Sequence, residues 1–375
     1  MNMNIRALII ILVCLSFSNL VVAQKSTLSG YLKDALNGEG LIGANVYVKE
    51  LKVGNASNTY GFYSITLNPG EYTLVFSSTG YEKIERKVLF SGVSQVLNLE
   101  FKSTNKELDE VVVRTRAIDE NVKGIEMSVN KIDIKTIRKI PALLGEVDLV
   151  RAIQLLPGVS TVGEGASGFN VRGGGADQNL VLLDEATIYN SSHLFGLFSV
   201  FNPDAIKDLK LYKGGIPARY GGRLSSVLDI YQKEGNKNDF HMNGGIGLIS
   251  SRILAEGPIV KGKGSFVVAG RASYAHLFLK LVDNPNLAYF YDLNTKLSYS
   301  LNEKNDIYLS GYFGRDVFQL NDSFVNTYGN TVLNFRWNHL FSDKLFSNLS
   351  LIYSDYYYGL KLNFVEFKWN SGIQN

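Results

Sequence analysis

The sequence predicts a mainly β protein: an N-terminal β-sandwich, an α+β domain, and the first strands of an incomplete transmembrane antiparallel β-barrel. Three observations predict this fold class. The 375 residues include 36 Gly, 21 Tyr and 21 Phe but only 7 Pro, a composition that favours strands over helical bundles. Short alternating runs separated by Gly and Asn fill residues 28–101. Longer runs of alternating polar and apolar residues fill the C-terminal third.

The first 23 residues have the pattern of a secretory signal peptide. Arg6 precedes a short apolar run, and small residues ending at Ala23 offer a cleavage site before Gln24. A buried N-terminal helix is the alternative interpretation. Cys14, the only cysteine, lies in this segment. The mature chain is therefore predicted to lack disulfides and thiolate metal sites.

The charge balance argues against a nucleic-acid partner. Lys and Arg number 38 against 35 Asp and Glu, a net charge of +3. The chain has no long basic run, so an electrostatic footprint for nucleic acid is missing from the sequence.

The chain divides into segments of different character. Residues 24–102 show strands spaced by turn signals, which predicts a β-sandwich. Residues 103–127 are charged and extended and predict a linker, and residues 128–235 predict the α+β domain. Its best helix is predicted over 145–156, with Glu146 and Asp148 in the first turn.

Residues 236–375 predict the start of the barrel. Over residues 291–302, Tyr291, Leu293 and Leu297 fall on one face and Asp292 and Lys296 on the other. Tight turns are predicted at one end of the strands. Long loops are predicted at the other end, at 275–288 and 315–329. A soluble jelly roll would also alternate, but the loop asymmetry and the signal peptide favour the membrane.

Patterns that suggest enzyme chemistry have a simpler interpretation. Residues 163–168, GEGASG, match a dinucleotide fingerprint but precede a strand rather than a helix. Asp184 and Glu185 are predicted to lie next to each other in a strand, where their side chains would point to opposite faces. The four histidines are far apart in sequence, which predicts no metal site. We therefore predict no catalysis and no cofactor.

Residues 28–101 resemble the carboxypeptidase regulatory-like domain. The similar elements are LIGANVYV and NTYGFYSITLNPGEYTLVFSSTGY. The resemblance implies a transthyretin-like sandwich and brings no peptidase chemistry.

The order of segments, together with three motifs, resembles a TonB-dependent outer-membrane receptor of the Bacteroidetes type. The motifs are the plug signatures GEVDLVRAIQLLPGV (145–159), FNVRGGGADQNLVLLDEATIYN (169–190) and FNPDAIKDLKLYKGGIPARYGGRLSSVLDI (201–230). The resemblance implies that the α+β domain is a plug inside the barrel.

The same resemblance implies a partner for the linker. In such receptors an extended segment before the plug adds a strand to the periplasmic energy-coupling protein TonB, through backbone hydrogen bonds. An edge strand of the sandwich is the alternative interpretation. The segment that matches is Leu108, Asp109, Glu110, Val111, Val112 and Val113.

Two Arg and Gly groups in the plug motifs are candidate structural or switch residues. The glycines permit close backbone approach and positive φ, and the arginines are expected to pair with carboxylates of the barrel wall rather than with ligand. Asp184 is a further candidate. The two groups are Arg172, Gly173, Gly174 and Gly175, and Arg219, Gly221, Gly222 and Arg223.

The resemblance implies import of a scarce nutrient across the outer membrane, with the N-terminal domain in the periplasm. The partners would be TonB, outer-membrane lipid and a small nutrient ligand of siderophore, vitamin or glycan class. A surface lipoprotein lid stays an open alternative. An adhesion protein with a glycan-binding sandwich is the rival function. A plugged barrel needs about twenty-two strands, and residues 236–375 suffice for roughly eight, so we expect a fragment, a truncated gene or half of a split pair.

Overall fold

A computed structural model describes most of the chain, in two compact units. The first unit is built mainly from residues 25–34 and 40–104, and the second mainly from 128–341 and 346–374. The described residues are 25–104, 128–140, 146–163, 168–274, 276–277, 286–320, 323–363 and 365–374. The predicted cleavage site at Ala23 and Gln24 and the segment 108–113 lie outside them.

The first unit is a β-sandwich, as the sequence predicts. One sheet has the order β4-β1-β7, with β8 also paired to β1, and the other has the order β3-β2-β5-β6. Alternate side chains of both sheets form one apolar core, which includes Leu32, Val46, Leu74 and Phe76. The strands are β1 (Ser26–Asp34), β2 (Asn45–Val48), β3 (Val53–Ala56), β4 (Phe62–Leu67), β5 (Gly70–Ser77), β6 (Ile84–Phe90), β7 (Gln95–Val96) and β8 (Leu99–Phe101).

The second unit begins with the α+β domain. Its five-stranded sheet has the order β13-β12-β17-β16-β9, in which only β12 and β17 run parallel. The strands are β9 (Val129–Asp133), β10 (Val159–Thr161), β11 (Phe169–Val171), β12 (Asn179–Leu183), β13 (Ala186–Thr187), β14 (Ser192–His193), β15 (Phe198–Ser199), β16 (Ile206–Tyr212) and β17 (Ser226–Gln232). The helices are α1 (Ile134–Ile137), α2 (Leu149–Gln154) and two 3-10 turns, Ala176–Gln178 and Leu194–Gly196.

Helix α2 is shorter than the predicted span of 145–156. Asp148 is its N-cap and accepts hydrogen bonds from the backbone N–H groups of Val150 and Arg151. Glu146 therefore precedes the helix and is not in its first turn. Its buried carboxylate has other partners, which belong to the site described below.

An eight-stranded antiparallel meander, which we call the wall, completes the second unit. Its order is β18 to β25 in sequence, the layout of the first strands of a barrel. The strands are β18 (His241–Ile246), β19 (Ser250–Val260), β20 (Gly264–Ser273), β21 (Leu287–Asn302), β22 (Asn305–Leu320), β23 (Phe324–Ser342), β24 (Leu345–Leu362) and β25 (Val365–Gln374).

The long loop predicted at 315–329 is wrong, because β22 continues to Leu320 and β23 starts at Phe324. Gly314 and Gly329 lie inside these two strands. A Cβ on Gly329 would lie 2.0 Å from the carbonyl oxygen of Gly314. Glycine at this position thus permits close approach of two strands and does not mark a turn.

The wall has its polar side chains buried and its apolar side chains exposed. On β21, Asn294 and Lys296 are 1% and 3% exposed, whereas Leu293 and Leu297 are 44% and 43% exposed. On β23 the polar residues Asn334 and Arg336 are likewise buried, between exposed apolar neighbours. The inner, polar face packs against the α+β domain. The outer, apolar face suits a hydrocarbon surrounding rather than water.

Candidate functional site: the contact between the α+β domain and the wall

The predicted arginines contact groups of their own domain. The Nη2 atom of Arg172 lies 3.0 Å from Ser128 Oγ, and Arg219 Nη2 donates to the hydroxyls of Tyr212 and Tyr220. Arg223 Nη1 donates to the carbonyl of Gly222 at 2.8 Å. The expected pairing with wall carboxylates is not present among the described residues. The aromatic rings explain this for Arg219, whose guanidinium carbon lies 4.8 Å from the centre of the Tyr220 ring.

The glycines of the two motifs differ in what they permit. Gly173 and Gly222 have φ of 81° and 79°, a region that other residues rarely adopt. At Gly174 and Gly175 a Cβ would meet Ser225 Oγ at 2.4 Å and an Asp177 oxygen at 2.6 Å, respectively. A Cβ on Gly221 would meet open space, so no steric need for glycine is present there.

Asp184 and Glu185 form a tight turn and are not residues of one strand, which corrects the prediction. They join β12 to β13 as the two central residues of a hairpin, with φ of 47° and 73°. Two consecutive positive values match a type I′ turn. Asp-Glu is an uncommon sequence for such a turn, because this conformation favours Asn and Gly. Both carboxylates consequently reach the wall.

The turn is held by two buried cations of the wall. Lys296 Nζ lies 3.0 Å from Asp184 Oδ2 and donates to the carbonyl of Gln232 at 3.0 Å. Arg336 Nη2 lies 3.4 Å from Glu185 Oε2 and also donates to the Asp184 carbonyl. Both cations are 3% exposed. Loss of one partner of such a pair would leave an uncompensated buried charge.

A second cluster joins the start of α2 to β19 and β20. The Glu146 carboxylate lies 3.2 Å from Arg252 Nη1 and 3.3 Å from Arg271 Nη1. Arg252 Nε also lies 2.8 Å from Asp204, which pairs on its other side with Arg138 at 3.0 Å. Charges of opposite sign thus alternate along the contact.

The third cluster surrounds His193 of β14. Its Nδ1 lies 2.6 Å from Asp316 Oδ2, and its Nε2 lies 3.2 Å from Asp292 Oδ2. Asp292 also accepts hydrogen bonds from Arg271 Nε and Nη2, at 2.8 and 2.6 Å. Burial lowers the pKa of His193, but Asp316 and Asp292 raise it by more, so the pKa lies above its usual value.

Apart from the His193 cluster and the pair formed by Lys233 and Glu256 of β19, the polarity of the contact is opposite to that expected from the sequence. The α+β domain supplies the carboxylates of Glu146, Asp184 and Glu185, and the wall supplies the cations. The wall cations could have been found by alternation, since Lys296 stands on the predicted polar face of β21. A charged residue on the inner face of a barrel strand is the signal that the sequence analysis did not use.

Comparison with known protein families gives a match for the β-sandwich and a match for the α+β domain. Residues 28–113 match the CarboxypepD_reg-like domain, and residues 121–226 match the TonB-dependent Receptor Plug Domain. The chain is 29% identical over 249 residues to TonB-dependent receptor P39 of Formosa agariphila, which covers 61% of this chain and 22% of the relative. It is 26% identical over 250 residues to TonB-dependent receptor SusC of Bacteroides thetaiotaomicron, which covers 63% of this chain and 24% of the relative.

Solved structures share the fold. The siderophore receptor PirA from Acinetobacter baumannii aligns with a TM-score of 0.50 at 18% identity, over 69% of this chain and 45% of PirA. A mutant of the ferric enterobactin receptor PfeA from Pseudomonas aeruginosa aligns with a TM-score of 0.50 at 16% identity, over 68% of this chain and 45% of PfeA. None of the described helices is long and apolar enough to cross a membrane.

A regulatory-like sandwich, a plug and a wall of strands with a polar inner face define the class of TonB-dependent outer-membrane receptors. The chain belongs to the Bacteroidetes type of this family, as the resemblance implied. It spans about a quarter of the length of the curated relatives that it matches. From here on the α+β domain is called the plug.

Proposed function

We propose that the chain acts in an outer-membrane transporter that imports a small nutrient, with energy supplied through TonB. The observation that carries the proposal is the contact between plug and wall. Wall cations on the inner face bind plug carboxylates, while the outer face exposes leucine and aromatic side chains. Such a plug blocks the lumen until it is displaced. The work is a conformational change, and no covalent bond is formed or broken.

The proposal gives each segment a place. Residues 1–23 direct export, residues 24–102 lie in the periplasm, and residues 103–127 present the segment Leu108–Val113 to TonB. Residues 128–235 are the plug, and residues 236–375 begin the barrel. The substrate class is left among siderophore, vitamin and glycan, and a surface lipoprotein lid stays an open alternative as a further partner.

The order of the plug sheet suggests where a pull from TonB acts first. The linker joins the plug at Ser128, directly before β9, which is an edge strand paired to β16. Ser128 is held by its carbonyl, which accepts from Lys213 N, and by its hydroxyl, which contacts Arg172. An edge strand can leave a sheet without breaking the inner pairings. Detachment of β9 from the plug sheet is therefore the least costly first step when TonB pulls on the linker.

Deletion of residues 108–113 is expected to abolish uptake while insertion into the outer membrane continues. The segment supplies the backbone edge to which TonB adds, and it lies outside the plug and the wall. The measurement is growth on a limiting nutrient together with the amount of receptor in isolated outer membranes. A deletion of six linker residues at 115–120, before the start of the plug match, is the matched control. Normal uptake by the 108–113 deletion would remove this assignment.

The rival function, adhesion through a glycan-binding sandwich, has little support. Protein surfaces that bind glycans by stacking need clusters of exposed aromatic rings. Within residues 25–104, Tyr47 is the one aromatic residue among the exposed large apolar residues, and the others are Leu36, Leu51, Val53, Leu89, Val93 and Val96.

A further inference from the structure

Two consecutive residues of the plug hold a backbone conformation that is costly for their types. Leu194 and Phe195 have φ of 47° and 57°, and neither is a glycine. Such residues persist only where the surroundings impose the conformation, and they concentrate at functional sites. The Phe195 side chain is 59% exposed and lies against the rings of Phe318 and Tyr328 on the wall. The turn therefore presents an aromatic group beside the inner face.

The turn is held by two groups of the wall and by the residue that precedes it. Asp316 Oδ1 accepts a hydrogen bond from Leu194 N at 2.8 Å, and the Tyr328 hydroxyl accepts one from Phe195 N at 2.9 Å. The other oxygen of Asp316 binds His193 Nδ1. His193 and Leu194 thus hold the same carboxylate from adjacent positions of the chain.

The geometry around His193 favours an imidazolium over the neutral ring. Both ring nitrogens face carboxylate oxygens, and a neutral imidazole has only one N–H to donate. The two carboxylates lie at opposite ends of the ring, so they do not converge on a shared metal position. No group of His, Asp and Glu side chains among the described residues could hold a metal ion. A proton is the one cation that this arrangement accommodates.

Among the described residues, the charged or titratable groups that contact His193 come from the wall. Asp292 of β21 is already neutralised by Arg271 of β20, which also binds Glu146 of the plug. The Tyr312 hydroxyl of β22 lies 3.4 Å from Nε2. Asp316 of β22 has His193 as its cationic partner. Loss of the His193 proton would consequently leave Asp316 as a buried charge without its cation.

We propose that His193, as an imidazolium, is the positioning residue that holds the strained turn Leu194–Phe195 against the wall, and that loss of its proton frees the turn. The proton passes to water or to a buffer base. The inference rests on the proposed function in one respect, that the turn faces the lumen through which the nutrient passes. The turn would be held at pH values below the pKa of His193 in the folded protein and released above it.

The direction of the pH dependence follows from the direction of the pKa shift of His193. The pKa of His193 is above its usual value in the folded protein. The stabilisation that protonated His193 gives to the turn is therefore complete below the pKa of the unfolded chain, about 6.5. It is lost as pH rises through the pKa of the folded protein. Replacement of Asp316 by Asn removes the carboxylate that raises the pKa most, so the transition must move to lower pH.

The experiment measures the mobility of the turn and does not require transport. A spin label on Leu197→Cys reports local motion by electron paramagnetic resonance, in the receptor in outer membranes, from about pH 6 to about pH 10. The mature chain is otherwise expected to have no cysteine. We expect a one-proton transition from an immobile to a mobile label. We expect D316N to shift the midpoint to lower pH and H193Q to give a mobile label at every pH.

The controls distinguish release of the turn Leu194–Phe195 from increased mobility of the whole plug. A label on Leu155→Cys, which is exposed on the plug, should not change over this range, and H339Q should keep the wild-type midpoint. A label that stays immobile at all pH, or a D316N midpoint that is unchanged or higher, would overturn the proposal. If H193Q fails to fold, the wild-type curve and the D316N shift still decide. Loss of uptake after deletion of 108–113 is independent of this result.

Discussion

Replacement of Lys296 by methionine is expected to loosen the Asp184–Glu185 turn from the wall. Asp184 is 1% exposed and would lose the cation 3.0 Å away. Removal of one partner of a buried pair costs about 3–5 kcal/mol. Amide hydrogen exchange in β13 should then quicken about a hundredfold or more, since each 1.4 kcal/mol is about a tenfold change. Mass spectrometry of peptides covering residues 182–190 measures this.

A double variant tests whether the effect comes from the stranded charge. Asp184→Asn with Lys296→Met removes both charges, and replacement of both partners is far less costly than loss of one. Its exchange should lie much closer to wild type. K304M, in the exposed turn between β21 and β22, is the matched control and should behave as wild type. Equal exchange in K296M and K304M would refute the role of this pair.

Replacement of Arg271 by methionine is expected to have an effect at least as large. The buried guanidinium donates hydrogen bonds to Glu146, Asp292 and the carbonyl of Ser199. Its loss therefore leaves two carboxylates and one carbonyl without a donor. The expected cost is again about 3–5 kcal/mol or more. The affected elements are the start of α2 and the segment 192–199. Hydrogen exchange of both should quicken together, because one side chain connects them.

Arg315 offers a matched control for this substitution. It stands on the outer face of β22, where its guanidinium carbon lies 4.7 Å from the Tyr357 ring and 5.3 Å from the Phe313 ring. R315M should leave exchange in the plug unchanged. If R271M left both plug segments as protected as R315M does, the cluster around Glu146 would not hold the plug.

The sequence was sufficient for the architecture because the architecture depends on periodicity. A period of two over residues 291–302 predicted both faces of β21, and the strand observed there has Asp292 and Lys296 buried as one set. The alternation does not say that the polar face is the buried one, or which part of the protein covers it. That depends on what fills the lumen, which is a property of the assembled fold.

The site was harder to predict, because pairing depends on distances that the sequence does not contain. Arg219 matched the expected type of residue, yet an adjacent tyrosine ring binds it. Asp184 and Glu185 looked like strand residues because they stand between LVLL and ATIY, and Asp-Glu is not a usual turn sequence. Of the four histidines, only the fold distinguishes His193, which contacts residues more than ninety positions away.

The most direct test of the account is a reversible cross-link between plug and wall. Ser354 Oγ of β24 donates to the carbonyl of Thr187 in β13, so cysteines at these two positions lie within reach of a short thiol cross-linker that contains a reducible disulfide. The account predicts that the link forms in outer membranes, stops uptake, and that reduction restores uptake. If no link formed because the plug folds as a separate body outside the wall, or if the linked receptor transported normally, the account would be contradicted.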